Sequence, residues 1–262
     1  MFCGKNSKIF YYNNYNNYCT KLFLMSSFFI ENKYEVIKDA ISKDLSKFIY
    51  TEMKMNEKLK CTLEKCEINS YKFGDSQCKN SYSSANDIFS ESLMLYLKKR
   101  IEQIVGKKLL PTYTYSRIYY KGSILKRHTD RESCEYTASV CIKTSQKRWN
   151  IYLEDMQRNT KCVDLKETDM LVFQGRELPH WRKKYKDEEQ VHIFLHYVDK
   201  KGDYSEYLYD KRPCLGCKEQ QTQDKNENRT LINYIYLLFF LLILILLIFC
   251  MFKVFTPLTI FK

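Results

Sequence analysis

A chain of 262 residues, 45% hydrophobic and 15% aromatic, is long enough for one sizeable core with flanking segments and too apolar for global disorder. A net charge of +12 raises nucleic acid or an anionic surface as partners, but the lysines are scattered among Tyr, Asn and Ile without a dense basic block, which disfavours nucleic acid. Eleven cysteines, odd in number and irregularly spaced, argue against a disulfide-stapled secreted module and are read as free thiols in a reducing compartment.

Residues 1–27 include the run Tyr11-Tyr12-Asn13-Asn14-Tyr15-Asn16-Asn17-Tyr18, which has no helical or strand period and predicts a flexible tail. The apolar stretch Leu22–Ile30 lies late, contains polar residues and has no small-residue cleavage site, so no signal peptide is assigned. From residue 28 to 217 the pattern is globular, with helical support over 28–106 and a β core over 107–217. Tyr34–Ile37 predicts a short strand, and Ser42 an N-cap for a helix with Leu45, Phe48, Ile49 and Met53 on its apolar side. Residues 57–83 are polar and show no clear period. Ile88, Leu93, Leu95-Tyr96-Leu97, Ile101 and Ile104-Val105 form a second helical stripe, with Lys98-Lys99-Arg100 on the other side and Gly106 as a stop, and both helices are expected outside a sheet. After Pro111 the period becomes two: Tyr113, Tyr115, Arg117 and Tyr119 share one face, followed by strands at Thr137–Ile142, Trp149–Leu153, Met170–Phe173 and Val191–Tyr197. Short strands at that density predict a β sandwich or barrel. Residues 218–230 are a polar linker, and Leu231–Phe252 runs without a charge, as a membrane-spanning helix does, leaving a short tail at 253–262. The expected placement is a single-pass, tail-anchored membrane protein with its globular domain in the cytosol.

Chemistry concentrates at His128-Thr129-Asp130 and at His180, within the one segment that holds all four histidines, His192 and His196 being the others. Residues i and i+2 of a strand share a face, so His128 and Asp130 can offer a nitrogen and an oxygen to one ion, with His180 closing the set. Two imidazoles and one carboxylate on one side of a metal leave positions open, as in non-heme Fe(II) oxygenases. The plainer alternative for such a short motif is packed or solvated histidine. Cys61, Cys66, Cys214 and Cys217 have metal-ligand spacings, but the pairs lie far apart with unlike spacers, and no thioredoxin-like strand and helix surround the Cys214/Cys217 pair.

The run 117–130, through Arg117, Tyr119, Gly122, Leu125, His128 and Asp130, resembles the R/N-x-Y-x-x-G-x-x-L-x-x-H-x-D signature of 2-oxoglutarate- and Fe(II)-dependent dioxygenases, in particular the prolyl 4-hydroxylase-like branch. The run Glu167–Arg182 resembles the strand, turn and strand that deliver that family's distal histidine. The likeness continues through His192–Tyr197, fades near Arg212–Gly216 and reaches back weakly towards residue 28. The resemblance implies an α+β fold: a double-stranded β-helix (jelly-roll, cupin-like) core with flanking N-terminal helices, here followed by the transmembrane helix. It implies Fe(II) held by His128, Asp130 and His180, with 2-oxoglutarate and O2 as cosubstrates, ascorbate as a further candidate, and succinate and CO2 as co-products. Tyr119 matches the family's cosubstrate-contacting tyrosine. A Lys or Arg on the strand after the distal histidine usually takes the far carboxylate, whereas this strand carries Gln190, His192 and His196. Arg117 is the first substitute, His192 the next and Lys143 a weaker one. Trp181 is a candidate wall of the iron pocket, and Arg131 a candidate either for a substrate carboxylate or, as the favoured structural reading, for a salt bridge to Glu132 or Glu135. The implied reaction is hydroxylation of a protein or peptide, most plausibly at proline. The alternatives are the same chemistry on a lipid, a small molecule or a nucleic-acid base, and a non-catalytic metal-binding module.

Overall fold

The computed structural model describes residues 26–63, 74–217 and 233–243. Two compact units divide at Cys217 and Lys218. The first begins with α1 (Ser27–Asn32), where the Ser26 hydroxyl accepts the Phe29 N–H at 3.2 Å and Phe29 is buried. The predicted tail therefore ends short, because Ser26 already caps a helix whose orphan N–H it satisfies. Residues 1–25 of that tail lie outside the described residues.

After β1 (Tyr34–Ile37), α2 (Lys43–Leu63) starts where Ser42 accepts the Leu45 N–H at 3.1 Å. Its buried face is Ser46, Ile49, Met53, Glu57 and Cys61. Phe48, predicted on that face, is 57% exposed and meets Phe89 at 5.9 Å. The face turns because the Ser46 hydroxyl donates to the Ile142 carbonyl at 2.7 Å. Further along, the buried position is Glu57, which pairs with Lys54 at 2.6 Å and accepts from the Tyr120 hydroxyl. Polar residues on the inner face hide the helical period, which is why 57–63 looks featureless in sequence. The following β2 (Ser81–Ala85) is similarly concealed by serines. α3 (Ile88–Val105) is capped by Asp87, which accepts the Ser90 N–H at 2.8 Å, and stops at Gly106 in the left-handed region at φ 68°.

The β core follows: β3 (Leu109–Tyr120), β4 (Leu125–His128), β5 (Tyr136–Lys143), β6 (Ile151–Glu154), β7 (Thr160–Val163), β8 (Met170–Phe173), β9 (His180–Arg182) and β10 (Glu189–Asp199). All described pairings are antiparallel. A six-stranded sheet has the order β1-β8-β5-β10-β3-β2 and a four-stranded sheet the order β4-β9-β6-β7. Strand alternation sorts the large sheet's side chains. Ile118, Val140, Ile142, Val172 and Ile193 pack against Ile49 and Met53 of α2 and Leu93, Leu97 and Ile101 of α3. Cys141, Leu171 and Phe173 instead meet Ile151 and Leu153 of the small sheet. The helices thus cover one face of the large sheet, and the polar inward residues of β3 and β10 are left to line the space between the sheets.

A 3-10 segment, Ser205–Lys211, precedes Cys214 and Cys217, which form a disulfide with their Cα atoms 5.5 Å apart. Gly216, at φ +76°, makes the turn that brings them together. Cys162 is disulfide-bonded as well. The expectation of free thiols fails at these positions, and Cys214 and Cys217 cannot serve as zinc thiolates. Of the second unit, residues 233–243 are helical. The rest of the predicted span 231–252, with the linker 218–230 and the tail 253–262, lies outside the described residues, among which no helix is long and apolar enough to cross a membrane.

Candidate metal centre

β4 and β9 pair so that His128 stands directly across from His180, with ring centroids 4.2 Å apart. Asp130 is not on the strand, as i, i+2 spacing suggested, but just beyond its end. There its N–H donates to the Gly175 carbonyl at 2.9 Å and its Oδ2 accepts the Thr137 hydroxyl at 3.0 Å. Asp130 Oδ1 lies 3.6 Å from Nε2 of both His128 and His180, and the three ligand atoms fall within 4.8 Å of one another.

Both imidazoles are fixed in the tautomer a metal needs. His128 Nδ1 donates to the Lys126 carbonyl at 2.8 Å and His180 Nδ1 to the Leu178 carbonyl at 3.0 Å, so each Nε2 presents a lone pair. Burial also lowers the His180 pKa, keeping the ring neutral. The Gln77 side-chain amide donates to His128 Nε2 at 3.1 Å, making it the protein group that meets this lone pair. Two neutral nitrogens and one carboxylate, all converging, fit a divalent transition metal.

Three further residues support the set. A Cβ on Gly175 would lie 2.0 Å from Asp130 Oδ2, so only glycine leaves room for this carboxylate. Thr137 donates to Asp130 and accepts from His196 Nδ1 at 3.1 Å, while His196 stacks on Tyr113 with centroids 4.4 Å apart. Asp130, Cys134 and His196 also cluster, but burial pushes the Cys134 thiol up to about 12, which keeps it a poor ligand.

Behind the centre lies a buried polar cluster. His192 Nδ1 donates to the Ser139 hydroxyl at 3.1 Å, and its Nε2 accepts from Gln190 at 2.8 Å and from Arg182 Nη2 at 3.2 Å. Burial, aided by the Arg182 charge, holds this imidazole well below its ordinary pKa. Tyr119 is buried beside Trp149, centroids 4.9 Å apart, and 6.4 Å from His192. Arg117 is buried too, but its Nη2 pairs with the Asp75 carboxylate and with the Tyr115 hydroxyl at 2.8 Å, and its Nη1 bonds Gln77 Oε1 at 3.2 Å. Lys143 is outside the cluster, 3.9 Å from Glu167. Trp181 points to the other side of β9 and stacks on Tyr152 at 5.8 Å, so it does not wall the metal pocket. Arg131 reaches Asp210 through two bonds of 2.9 and 2.7 Å rather than Glu132 or Glu135. Sequence reasoning missed Thr137, Gly175 and Arg182. Only the last left a usable signal, its i+2 position from His180.

No protein-family model and no curated protein matches the chain. Solved structures do match. HygX of Streptomyces hygroscopicus, determined with nickel and 2-oxoglutarate bound, superposes with a TM-score of 0.51 at 12% identity over 66% of this chain and 85% of its own. A Pseudomonas putida prolyl-4-hydroxylase gives 0.51 at 10% identity over 66% of this chain and 95% of its own. The alpha-ketoglutarate-dependent carbocyclase SnoK of nogalamycin biosynthesis gives 0.54 at 11% identity over 67% and 85%. With its two antiparallel sheets, outer helices and His/Asp/His cluster, the chain has the fold of the non-heme 2-oxoglutarate/Fe(II) oxygenases.

Proposed function

We propose that this protein is a 2-oxoglutarate- and Fe(II)-dependent oxygenase that hydroxylates a C–H bond. The observation carrying this reading is the convergence of His128 Nε2, His180 Nε2 and Asp130 Oδ1, with both imidazoles locked through Nδ1 onto backbone carbonyls. Iron bound there would supply O2 activation coupled to oxidative decarboxylation of the keto acid, yielding succinate and CO2. The chain's share is geometric and electrostatic. The Thr137 hydroxyl donates to the Asp130 carboxylate, and the Gly175 carbonyl holds the Asp130 backbone N–H. Phe173, 4.9 Å from the His180 ring, walls it with an apolar side. The Tyr119, Trp149 and His192 group excludes water behind it.

A prolyl residue of a protein is the proposed target. The match of 117–130 to the prolyl hydroxylase-like signature and the likeness to the P. putida enzyme over 95% of its length support it. Attachment to a membrane through 231–252 is part of the same proposal and is supported by the uncharged run itself. The test is succinate formation by the full chain with Fe(II), 2-oxoglutarate and proline-containing peptides. Iron-dependent succinate that disappears in His180→Ala is expected. Its absence at every iron concentration would sink the oxygenase reading, and succinate without hydroxyproline would sink the prolyl one.

A further inference from the structure

The segment 204–213 runs as a strap tied to the two loops that build the metal centre. The Arg176 guanidinium, next in the chain to Gly175, donates to the Tyr204 hydroxyl and lies 4.3 Å over that ring. Arg131, next to Asp130, holds Asp210 through its two bonds and lies 4.4 Å over the Tyr113 ring. Beside this tie the backbone is strained. Tyr209, Asp210 and Lys211 have φ of 52°, 55° and 64°, a left-handed run that side chains rarely adopt and that persists only where the surroundings enforce it. The enforcing contacts come from the next residue. Arg212 donates to the Tyr209 and Thr112 carbonyls at 2.9 and 3.2 Å, to the Glu91 carboxylate and, through Nη1, to the Cys217 carbonyl at 3.1 Å.

That last bond makes the disulfide part of the clamp. Closed, Cys214–Cys217 folds the turn so that the Cys217 carbonyl reaches Arg212 and the Gly216 N–H reaches Glu91. The link is also open to attack. Cys214 is exposed and Cys217 half-buried, whereas the free thiols Cys61, Cys78, Cys134 and Cys141 are buried. A cross-link across a sequence separation of 3 removes little chain entropy from the unfolded state, so folding does little to keep it closed. Exposed disulfides are the readily exchanged ones.

We propose that Cys214–Cys217 is a thiol-exchange site whose closure holds the strap onto the metal-centre loops. A thiolate of a small dithiol attacks the exposed Cys214 sulfur, forming a mixed disulfide and expelling Cys217 as a thiolate. The reductant's second thiol then attacks its own bound sulfur and releases Cys214. The pair thereby gains two electrons and two protons, and the reductant leaves as a cyclic disulfide. With the turn open, Arg212 loses the Cys217 carbonyl, the left-handed run relaxes and Asp210 withdraws from Arg131. An unpaired guanidinium then stands next to Asp130 and opposes a cation there.

Dithiothreitol added to the native full chain, without denaturant, is expected to make Cys214 and Cys217 alkylatable in peptide mapping. Amide hydrogen exchange over 205–213 should then quicken by about three- to tenfold, the worth of one lost hydrogen bond. The Cys214→Ser/Cys217→Ser double variant should exchange like the reduced chain. It should also bind Mn(II) about two- to fivefold more weakly in calorimetry, the scale of a half-exposed ion pair. Asp210→Asn, with its disulfide intact, should show the same loss of Mn(II) affinity. Should the double variant fail to fold, the reduced and alkylated native chain takes its place. A pair that stays closed until the chain is denatured overturns the proposal, as does a reduced strap that exchanges as slowly as the oxidised one. Unchanged Mn(II) affinity in the double variant overturns the coupling to the centre. A native chain whose Mn(II) binding survives His180→Ala overturns the centre itself, while the exchange readouts still judge the strap.

Discussion

Gly175 and Asp130 are packed so closely that a single added methyl on the glycine would sit 2.0 Å from the aspartate Oδ2 and 2.8 Å from its Cγ. The clash is with the ligand carboxylate itself, which also accepts from the Thr137 hydroxyl, while the Asp130 backbone N–H donates to the Gly175 carbonyl. Gly175→Ala is therefore expected to displace Asp130, costing about 1–3 kcal/mol of stability through overpacking. It should also lower Mn(II) affinity by at least about tenfold, and calorimetric titration would check this. Unchanged affinity would mean that the carboxylate can be held in another position.

Thr137 relays between His196 and Asp130 with one hydroxyl, giving its proton to Oδ2 and accepting from His196 Nδ1. Thr137→Val keeps the shape and removes the relay, leaving a buried N–H without its acceptor at a cost of about 1–3 kcal/mol. Metal affinity should fall by about ten- to a hundredfold, as for other groups that orient a ligand. Urea unfolding and a metal titration on the same variant separate the two effects.

Burial lowers the pKa of His196 to about 4, from an ordinary value of 6.5, and shifts His180 and His192 in the same direction. The unfolded chain therefore takes up these protons first as pH falls. Stability from this source is complete above pH 6.5 and is lost progressively towards pH 4. The metal-free protein should melt markedly lower at about pH 5 than at about pH 7. His196→Gln, which does not titrate, should show a smaller drop. An equal drop in both would remove His196 from the account.

Glu91 and Arg212 form a buried ion pair of 2.5 Å, their side chains 1% and 5% exposed, and the Gly216 N–H also donates to Glu91. This pins the Cys214–Cys217 turn against α3. Glu91→Ala strands the guanidinium and is expected to cost about 3–5 kcal/mol in chemical denaturation. A loss below about 1 kcal/mol would show that the turn relaxes into water.

Much of the candidate site was legible because its signals are local. Clustered histidines and the spacing of His128 to Asp130 marked the metal set. The cap at Ser42 and the stop at Gly106 marked the helices, whereas the Asp87 cap of α3 emerged only from the structure. What stayed hidden depends on chain segments meeting from afar. The role of Gly175 is defined by Asp130, 45 positions away. The inner face of α2 was misplaced because two of its buried residues, Ser46 and Glu57, are polar and partnered from distant strands or from Tyr120. The disulfide at Cys214 and Cys217 needed only a glycine turn, which irregular cysteine spacing does not advertise.

The pairing of His128 with His180 joins a strand of four residues to one of three. Strands that short hold few ladder bonds, so this corner belongs to the part of the molecule that opens most readily. An ion gripping both rings would act as a rivet between two neighbouring strands, closing a long excursion of chain and stabilising the folded form by mass action. Amide protons of β4 and β9 should then exchange slowly only when the rivet is in place, so the occupied centre and the local architecture sustain each other.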